Sequence, residues 1–333
     1  MKKSIIALAV LAASGAALAQ SSVTLYGRLD VSVAATSKET TGVGAVPKLK
    51  QSAVNSSDLN TTFWGLKGSE DLGSGLKAIF KLEAAFGMDT GASTGTLFER
   101  EAHVGLSGSF GTVKAGRLYS VYDSIYALTN YIDNTNLATT TDVWKNGAGI
   151  YATRTNNAVS YESNSYDGFS AAVVYGLGED KTAALTASRH FSVGAKYAMG
   201  NFLVAFAHAA EKPLGAGDVL KNTLIGGSYD FGVAKITGGI NQGKLGQSKD
   251  DEYQVGVKVP YGPAALQAGY SRSKNKLNGL QKVGSGFSIV GTYSLSKRTT
   301  AYAGYESTTM DQTAGGTTKV ETTNLTTGIR HLF

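Results

Sequence analysis

The chain of 333 residues has no cysteine. That absence excludes disulfides, thiolate metal sites and cysteine nucleophiles, so stability must come from size or from burial in lipid. Proline is nearly absent as well, with 4 residues. After the first twenty positions no run of eighteen apolar residues occurs, which excludes a transmembrane helix. Charge of one sign is also lacking. Removing Lys2 and Lys3 from the 31 basic residues leaves 29 against 25 acids, a net charge of about +4. So mild an excess, without a basic cluster, argues against a nucleic-acid partner. Catalytic signatures are missing too: neither GxSxG nor HExxH is present, and none of the four histidines, His103, His190, His208 and His331, pairs with a serine and carboxylate motif. The reading is therefore of a protein that is not an enzyme and has no cofactor and no metal centre.

What is present is alternation. Residues 1–19 read as an export leader, with Lys2 and Lys3 ahead of the apolar stretch Ile5 to Ala13 and the small-residue cleavage pattern Ala17-Leu18-Ala19. Residues 20–333 then form one domain. Val23, Leu25, Leu29, Val31 and Val33 share one parity, and Thr24, Tyr26, Arg28, Asp30 and Ser32 share the other. The same pattern returns in Leu76 to Glu83, Phe191 to Tyr197 and Tyr253 to Val259. A transmembrane barrel alternates outward apolar with inward polar residues, and its mean hydropathy is near zero, as here. Forty-two glycines and 17 tyrosines fit that class. A two-sheet sandwich also alternates, so the connections must decide.

Short links with turn chemistry, such as Ser107 to Gly111, Met199 to Asn201 and Tyr261 to Pro263, alternate with longer polar ones. The long set comprises Ala35 to Asp58, Gly87 to Thr96, Arg117 to Arg154, Gly178 to Arg189, Ala210 to Lys221, Gln242 to Asp250, Ser273 to Gly284 and Thr308 to Val320. About sixteen strands with eight long and seven short links match the asymmetry of an even-stranded membrane barrel. The Arg117 to Arg154 stretch keeps neither a period of 2 nor one of 3.6, yet it is too rich in Tyr, Leu and Ile to be a solvated tail. It is expected to fold inward and narrow the hole through the wall. The alternative is a surface loop on a soluble β-protein.

Four stretches, SSVTLYGRLD, WGLKGSEDLGSGLKAIFKLE, REAHVGLSGSFGTVKAGR and TTGIRHLF, resemble the trimeric general porins of Gram-negative outer membranes, most closely the neisserial and betaproteobacterial branch. The resemblance spans nearly the whole chain. It implies an all-β fold, a 16-stranded antiparallel transmembrane β-barrel with the third extracellular loop folded into the lumen. It further implies a homotrimer in contact with outer-membrane lipid and lipopolysaccharide, passing small hydrophilic solutes and inorganic ions by diffusion.

By motif position the resemblance assigns Arg28, Arg100 and Arg154 to the basic wall of a pore constriction, facing acids on the inward loop, for which the candidates are Asp123, Asp133 and Asp142. Family members usually carry arginine where this chain has Phe63, which removes one expected positive charge. Each arginine has a plainer reading. Arg100 could pair with Glu99, Glu101 or a loop aspartate, Arg28 with Asp30, and Arg154 could be solvated at a loop end. Ala102, Val104 and Leu106 share the parity of Arg100, which makes sense only if the inward loop covers them. One unit charge about 4 Å from a passing ion in water is worth roughly 1 kcal/mol. An uncompensated arginine thus separates anion from cation by roughly 2 kcal/mol, on the order of thirtyfold before screening. A mildly anion-selective diffusion pore is the reading that follows. The alternative is a substrate-specific channel for sugars or organic anions, with Tyr119, Tyr122, Tyr126 and Tyr131 as an aromatic slide. The run Asp250, Asp251 and Glu252 offers a divalent-cation bridge to lipopolysaccharide, although such runs are usually solvated loops.

Overall fold

A computed structural model describes residues 22–132, 135–144, 151–277, 280–313 and 316–333. Among them lie seventeen strand segments: β1 (Ser22–Gly42), β2 (Val46–Ser56), β3 (Phe63–Gly73), β4 (Leu76–Ala85), β5 (Glu101–Gly108), β6 (Gly111–Tyr119), β7 (Arg154–Glu162), β8 (Phe169–Gly176), β9 (Arg189–Met199), β10 (Phe202–Lys212), β11 (Leu220–Asp230), β12 (Lys235–Leu245), β13 (Ser248–Tyr261), β14 (Ala264–Leu277), β15 (Leu280–Ser294), β16 (Thr299–Thr313) and β17 (Thr317–Leu332). Two helices, α1 (Val121–Thr129) and α2 (Thr140–Val143), lie between β6 and β7. The leader lies outside the described residues.

Consecutive strands pair antiparallel except β2 and β3, which both pair with β1, and β1 pairs with β17 from Arg28↔Leu332 to Gly42↔Thr318, which closes the sheet. A closed sheet has no free edge. β1 also pairs with β2 over its second half and with β3 over its first. β2 and β3 are therefore one barrel strand interrupted at residues 57–62, so the seventeen segments make sixteen strands.

The two faces are inverted relative to a water-soluble protein. Phe191, Phe206, Ile225, Ile240, Val255, Leu266, Phe287, Ile289 and Leu325 are exposed, whereas Asp30, Ser192, Asn222, Glu252, Gln254, Ser271, Ser288 and Thr326 are buried. Polar groups are costly in hydrocarbon and apolar ones are not, so this inversion is stable only with lipid outside. No described helix is long and apolar enough to cross a membrane; strands make the crossing.

Four of the long links expected from the sequence are extended hairpins. The ladders continue to Thr40↔Val46, Leu245↔Ser248, Leu277↔Leu280 and Thr313↔Thr317. Polarity on both faces marks where a strand leaves the membrane, not where pairing stops. Threonine-rich stretches such as Thr317 to Thr323 keep the extended backbone that β-branching favours. Elsewhere the alternation of short and long connections holds, for example two residues between β9 and β10 and twelve between β8 and β9.

The segment between β6 and β7 packs on the polar face of β9 to β16. Ser120 caps α1, accepting from Asp123 N at 3.1 Å. Tyr122 N donates to Ser192 Oγ at 2.8 Å and Gln254 Nε2 to Thr129 O at 2.9 Å. Tyr131 Oη meets Ser288 Oγ at 2.9 Å, and Ser273 Oγ donates to Val143 O at 2.7 Å. Wall hydroxyls and amides thus satisfy backbone groups that an irregular segment leaves unpaired. Small wall residues make room. A Cβ built at Gly226 would lie 2.7 Å from Thr129, at Gly256 and Gly269 2.7 and 2.2 Å from Tyr131, at Gly286 2.8 Å from Thr139, and at Gly304 2.7 Å from Leu137. With Ala205 and Ala207 on β10, these positions form a smooth track under the segment.

Candidate functional site

The interruption of the second strand shapes the site. Ser57 takes a positive φ of 73°, and Asp30 holds the loop back by accepting from Asn60 N at 2.7 Å. Leu59 is thereby turned against Ile132, Leu137, Ala138 and Tyr302, and Asn136 Nδ2 donates to Ser57 O at 2.6 Å. Where pairing resumes, Phe63 opens β3 beside Arg28 of β1.

Arg28, Arg100 and Arg154 come together through aromatic rings. The guanidinium carbons of Arg28 and Arg100 lie over the Phe63 ring, 5.3 and 4.6 Å from its centroid. Arg100 Nη2 donates to Tyr119 Oη at 2.8 Å. Arg154 lies over the Tyr119 ring at 4.3 Å and also bonds its hydroxyl. Phe63, read from the sequence as a missing charge, spaces two charges instead. A ring face attracts a guanidinium while its bulk keeps the two cations apart.

The ion pairs divide the three arginines. Arg100 Nε donates to Glu83 Oε2 at 3.1 Å, a partner the sequence did not single out. Glu83 also takes Lys81 at 2.9 Å and Tyr26 Oη at 2.6 Å. Arg28, by contrast, donates to the carbonyl of Thr61 at 2.9 Å, and Arg154 to Thr153 Oγ1 at 3.4 Å. Among the described residues neither makes a salt bridge, and pairing of Arg28 with Asp30 is replaced by the Tyr302 Oη to Asp30 Oδ1 bond of 2.6 Å.

The side chain of Arg100 does not follow from strand parity. Val104 and Leu106 are 61 and 44 % exposed and face outward, so the expectation that the inward loop covers them is wrong. Arg100 precedes β5, where backbone alternation has not begun, and it turns to Glu83 on the polar face. Arg117 and Arg330 join the group unforeseen. A register shift between Gly116 and Leu118, with Gly116 at φ 137°, takes Arg117 off the parity of Val113 and Ala115. Arg330 Nη1 donates to Asn60 Oδ1 at 2.7 Å, and its parity opposite Leu325 and Ile329 was readable in the sequence.

Of the acids, Asp123 accepts from Tyr151 Oη at 3.1 Å, and Asp142 lies beside Glu306 of β16, with Asp58 near. Asp133 lies outside the described residues. A cavity of about 750 Å³ carries both signs, with Arg100, Arg117 and Arg154 beside Asp58, Asp89 and Glu99.

Two other expectations fail. Tyr122, Tyr126 and Tyr131 are buried against the wall and Tyr119 is held by the arginines, so the four do not form an aromatic slide. Burial pushes the phenols of Tyr122 and Tyr151 well up, helped by nearby carboxylates. The run Asp250, Asp251 and Glu252 alternates across the wall, with Asp250 and Glu252 buried and only Asp251 exposed, so it cannot gather around one cation.

A closed barrel with an apolar exterior and a polar, charged interior is an outer-membrane channel. A model of the family described as Gram-negative porin matches residues 6–313, and the chain belongs to that family. It is 37 % identical to outer membrane porin protein 32 of Delftia acidovorans over 281 residues, 79 % of this chain and 77 % of that protein. It is 31 % identical to major outer membrane protein P.IB of Neisseria lactamica over the full length of both. The solved anion-selective porin from Comamonas acidovorans superposes with a TM-score of 0.80 at 28 % identity, covering 94 % of this chain and all of that one. The protein is a passive diffusion channel of the Gram-negative outer membrane.

Proposed function

We propose that this porin is mildly anion-selective, and that the segment between β6 and β7 folds into the lumen to form its constriction. Residues 1–19 are removed on export, and residues 20–333 assemble as a homotrimer surrounded by outer-membrane lipid and lipopolysaccharide. Small hydrophilic solutes and inorganic ions cross without catalysis. Arg28, Arg100 and Arg154 form the basic side of the constriction; Asp123, Asp133 and Asp142 on the segment supply the opposing charge. The observation that carries the reading is that Arg28 and Arg154 lie in this arginine group without a salt bridge among the described residues, while Arg100 is matched by Glu83. The anion preference printed for the Comamonas acidovorans porin supports the same sign.

The test is a reversal potential across a planar bilayer holding a salt gradient. Ohmic conductance with anions the more permeant is expected; no conductance, or a cation sign, overturns the proposal. Phe63→Ala removes two cation–π contacts worth roughly 0.5–2 kcal/mol each. Thermal unfolding in detergent should shift downward, while the sign of the reversal potential is kept because no charge is lost.

A further inference from the structure

We propose that an alcove in the inner wall, between α1 and strands β6 to β9, binds an amphiphilic monocarboxylate with a compact apolar body of one or two rings. The proposal rests on the barrel and on the seat of α1, not on the sign of the pore's selectivity. The alcove lies on the short-turn side of α1. β9 runs from Arg189 at the long-link end to Met199 at a tight turn. Along it Ser192 meets Tyr122 N, a Cβ built at Gly194 would lie 2.9 Å from Val121 and 3.2 Å from Ile125, and Lys196 stands past both. Tyr119 reaches the alcove, but none of Arg28, Arg100, Arg117 and Arg154 lines it.

Its charges leave one cation over. A cavity of about 450 Å³ holds Lys81, Lys114 and Lys196 with Glu101 and Glu162. Lys81 pairs with Glu101, and Lys114 with Glu162. Lys196, opposite Ser170, makes no salt bridge among the described residues, so one ammonium remains for one carboxylate. A hydroxyl is also left over. Ser160, opposite Lys114, is 3 % exposed, and its Oγ has no hydrogen-bond partner among the described residues. A buried hydroxyl without a partner is costly, and a carboxylate oxygen in the alcove would accept from it. Bonds of this kind to an ionised acceptor are the strong ones.

The opposite side of the alcove is apolar. Val121, Ile125 and Leu128 fall at i, i+4 and i+7 of α1 and share one face. Val121 and Ile125 are buried, whereas Leu128 is 39 % exposed. Leu118 and Val174 extend the same lining. An inorganic anion satisfies Lys196 and leaves the leucine bare; a neutral hydrocarbon does the reverse. Only an occupant with a carboxylate at one end and hydrocarbon at the other meets both. The volume falls within the range of about 300–1,000 Å³ typical of small-molecule sites and admits a fused bicycle.

The experiment uses the full barrel in detergent with 2-naphthoate as the probe, binding being read by saturation-transfer NMR against detergent alone. Wild type should bind 2-naphthoate saturably. Acetate and 2-naphthalenemethanol each keep half of the match and should bind on the order of tenfold more weakly or worse. Lys196→Gln, which loses the charged hydrogen bond, and Leu128→Ser, which loses the apolar cover, should each weaken 2-naphthoate by about tenfold. Lys235→Gln, on the inner face at the short-turn end of β12 and outside the alcove, should bind as wild type. Absence of saturable binding, or equal binding of acetate or 2-naphthalenemethanol, overturns the proposal. So does wild-type affinity in Lys196→Gln or Leu128→Ser, or an equal loss in Lys235→Gln. Because no bilayer is involved, the result separates from the reversal potential. An anion-selective channel that does not hold 2-naphthoate overturns the alcove alone, and a cation-selective one that holds it overturns the pore's sign alone.

Discussion

The double variant Arg28→Ala, Arg154→Ala should lose the anion preference, with the reversal potential in a salt gradient moving toward the cation side. Each guanidinium near the path of an ion at about 4 Å separates anion from cation by roughly 2 kcal/mol in water, on the order of thirtyfold, before screening. Mobile ions weaken this, and at a Debye length of about 8 Å in physiological salt the shift should be smaller than in dilute salt. Arg100 behaves differently because Glu83 lies 3.1 Å away. Arg100→Ala alone unmasks that carboxylate and should also lower the anion-to-cation ratio. Adding Glu83→Gln should return it close to wild type, since a neutral pair has then been replaced by neutral groups. The same second substitution made with Arg28→Ala, Arg154→Ala would change total charge and cannot be read this way. An unchanged reversal potential in Arg28→Ala, Arg154→Ala would remove both from the path of the ions.

The wall was readable because its rule is local. Parity in Val23 to Val33 or Tyr253 to Val259 sorts lipid-facing from inward residues whatever the rest of the chain does, and burial follows it closely. The rule fails where the backbone stops alternating. Arg100 sits one residue before β5, Arg117 at a register shift, and Phe63 just after the break in the second strand. These three help build the site, and no period could have aimed them. The long-link boundaries failed for another reason. Hydropathy reports where a strand leaves lipid, whereas pairing continues into water along Thr317 to Thr323 and its partners. The tyrosines were misassigned because burial depends on the opposite wall. Tyr131 is buried only because Gly256 and Gly269 have no Cβ to keep it off, and a glycine in a strand does not announce which ring it serves.

That dependence yields the second large effect. Gly269→Leu places a side chain where the ideal Cβ alone would lie 2.2 Å from the Tyr131 ring, so the ring must leave its seat. The displaced residue forfeits its burial, roughly 1.5–3 kcal/mol for a large apolar side chain. It also loses its hydroxyl contacts to Ser288 and Thr139 and the bond from Tyr131 N to Gln254, at about 1 kcal/mol each. The sheet itself has little to lose, because β14 keeps its ladders to β13 and β15. Heat resistance of the folded barrel on a gel should therefore be close to that of wild type. On the proposal that the segment fills the lumen, single-channel conductance should rise and fluctuate between levels, because unseating its middle leaves a wider path. Gly291→Leu is the matched control, as the nearest atom to its ideal Cβ is 3.9 Å away and belongs to the neighbouring backbone. A quiet channel of wild-type conductance in Gly269→Leu, with the protein folded, would mean that the segment does not occupy the water path.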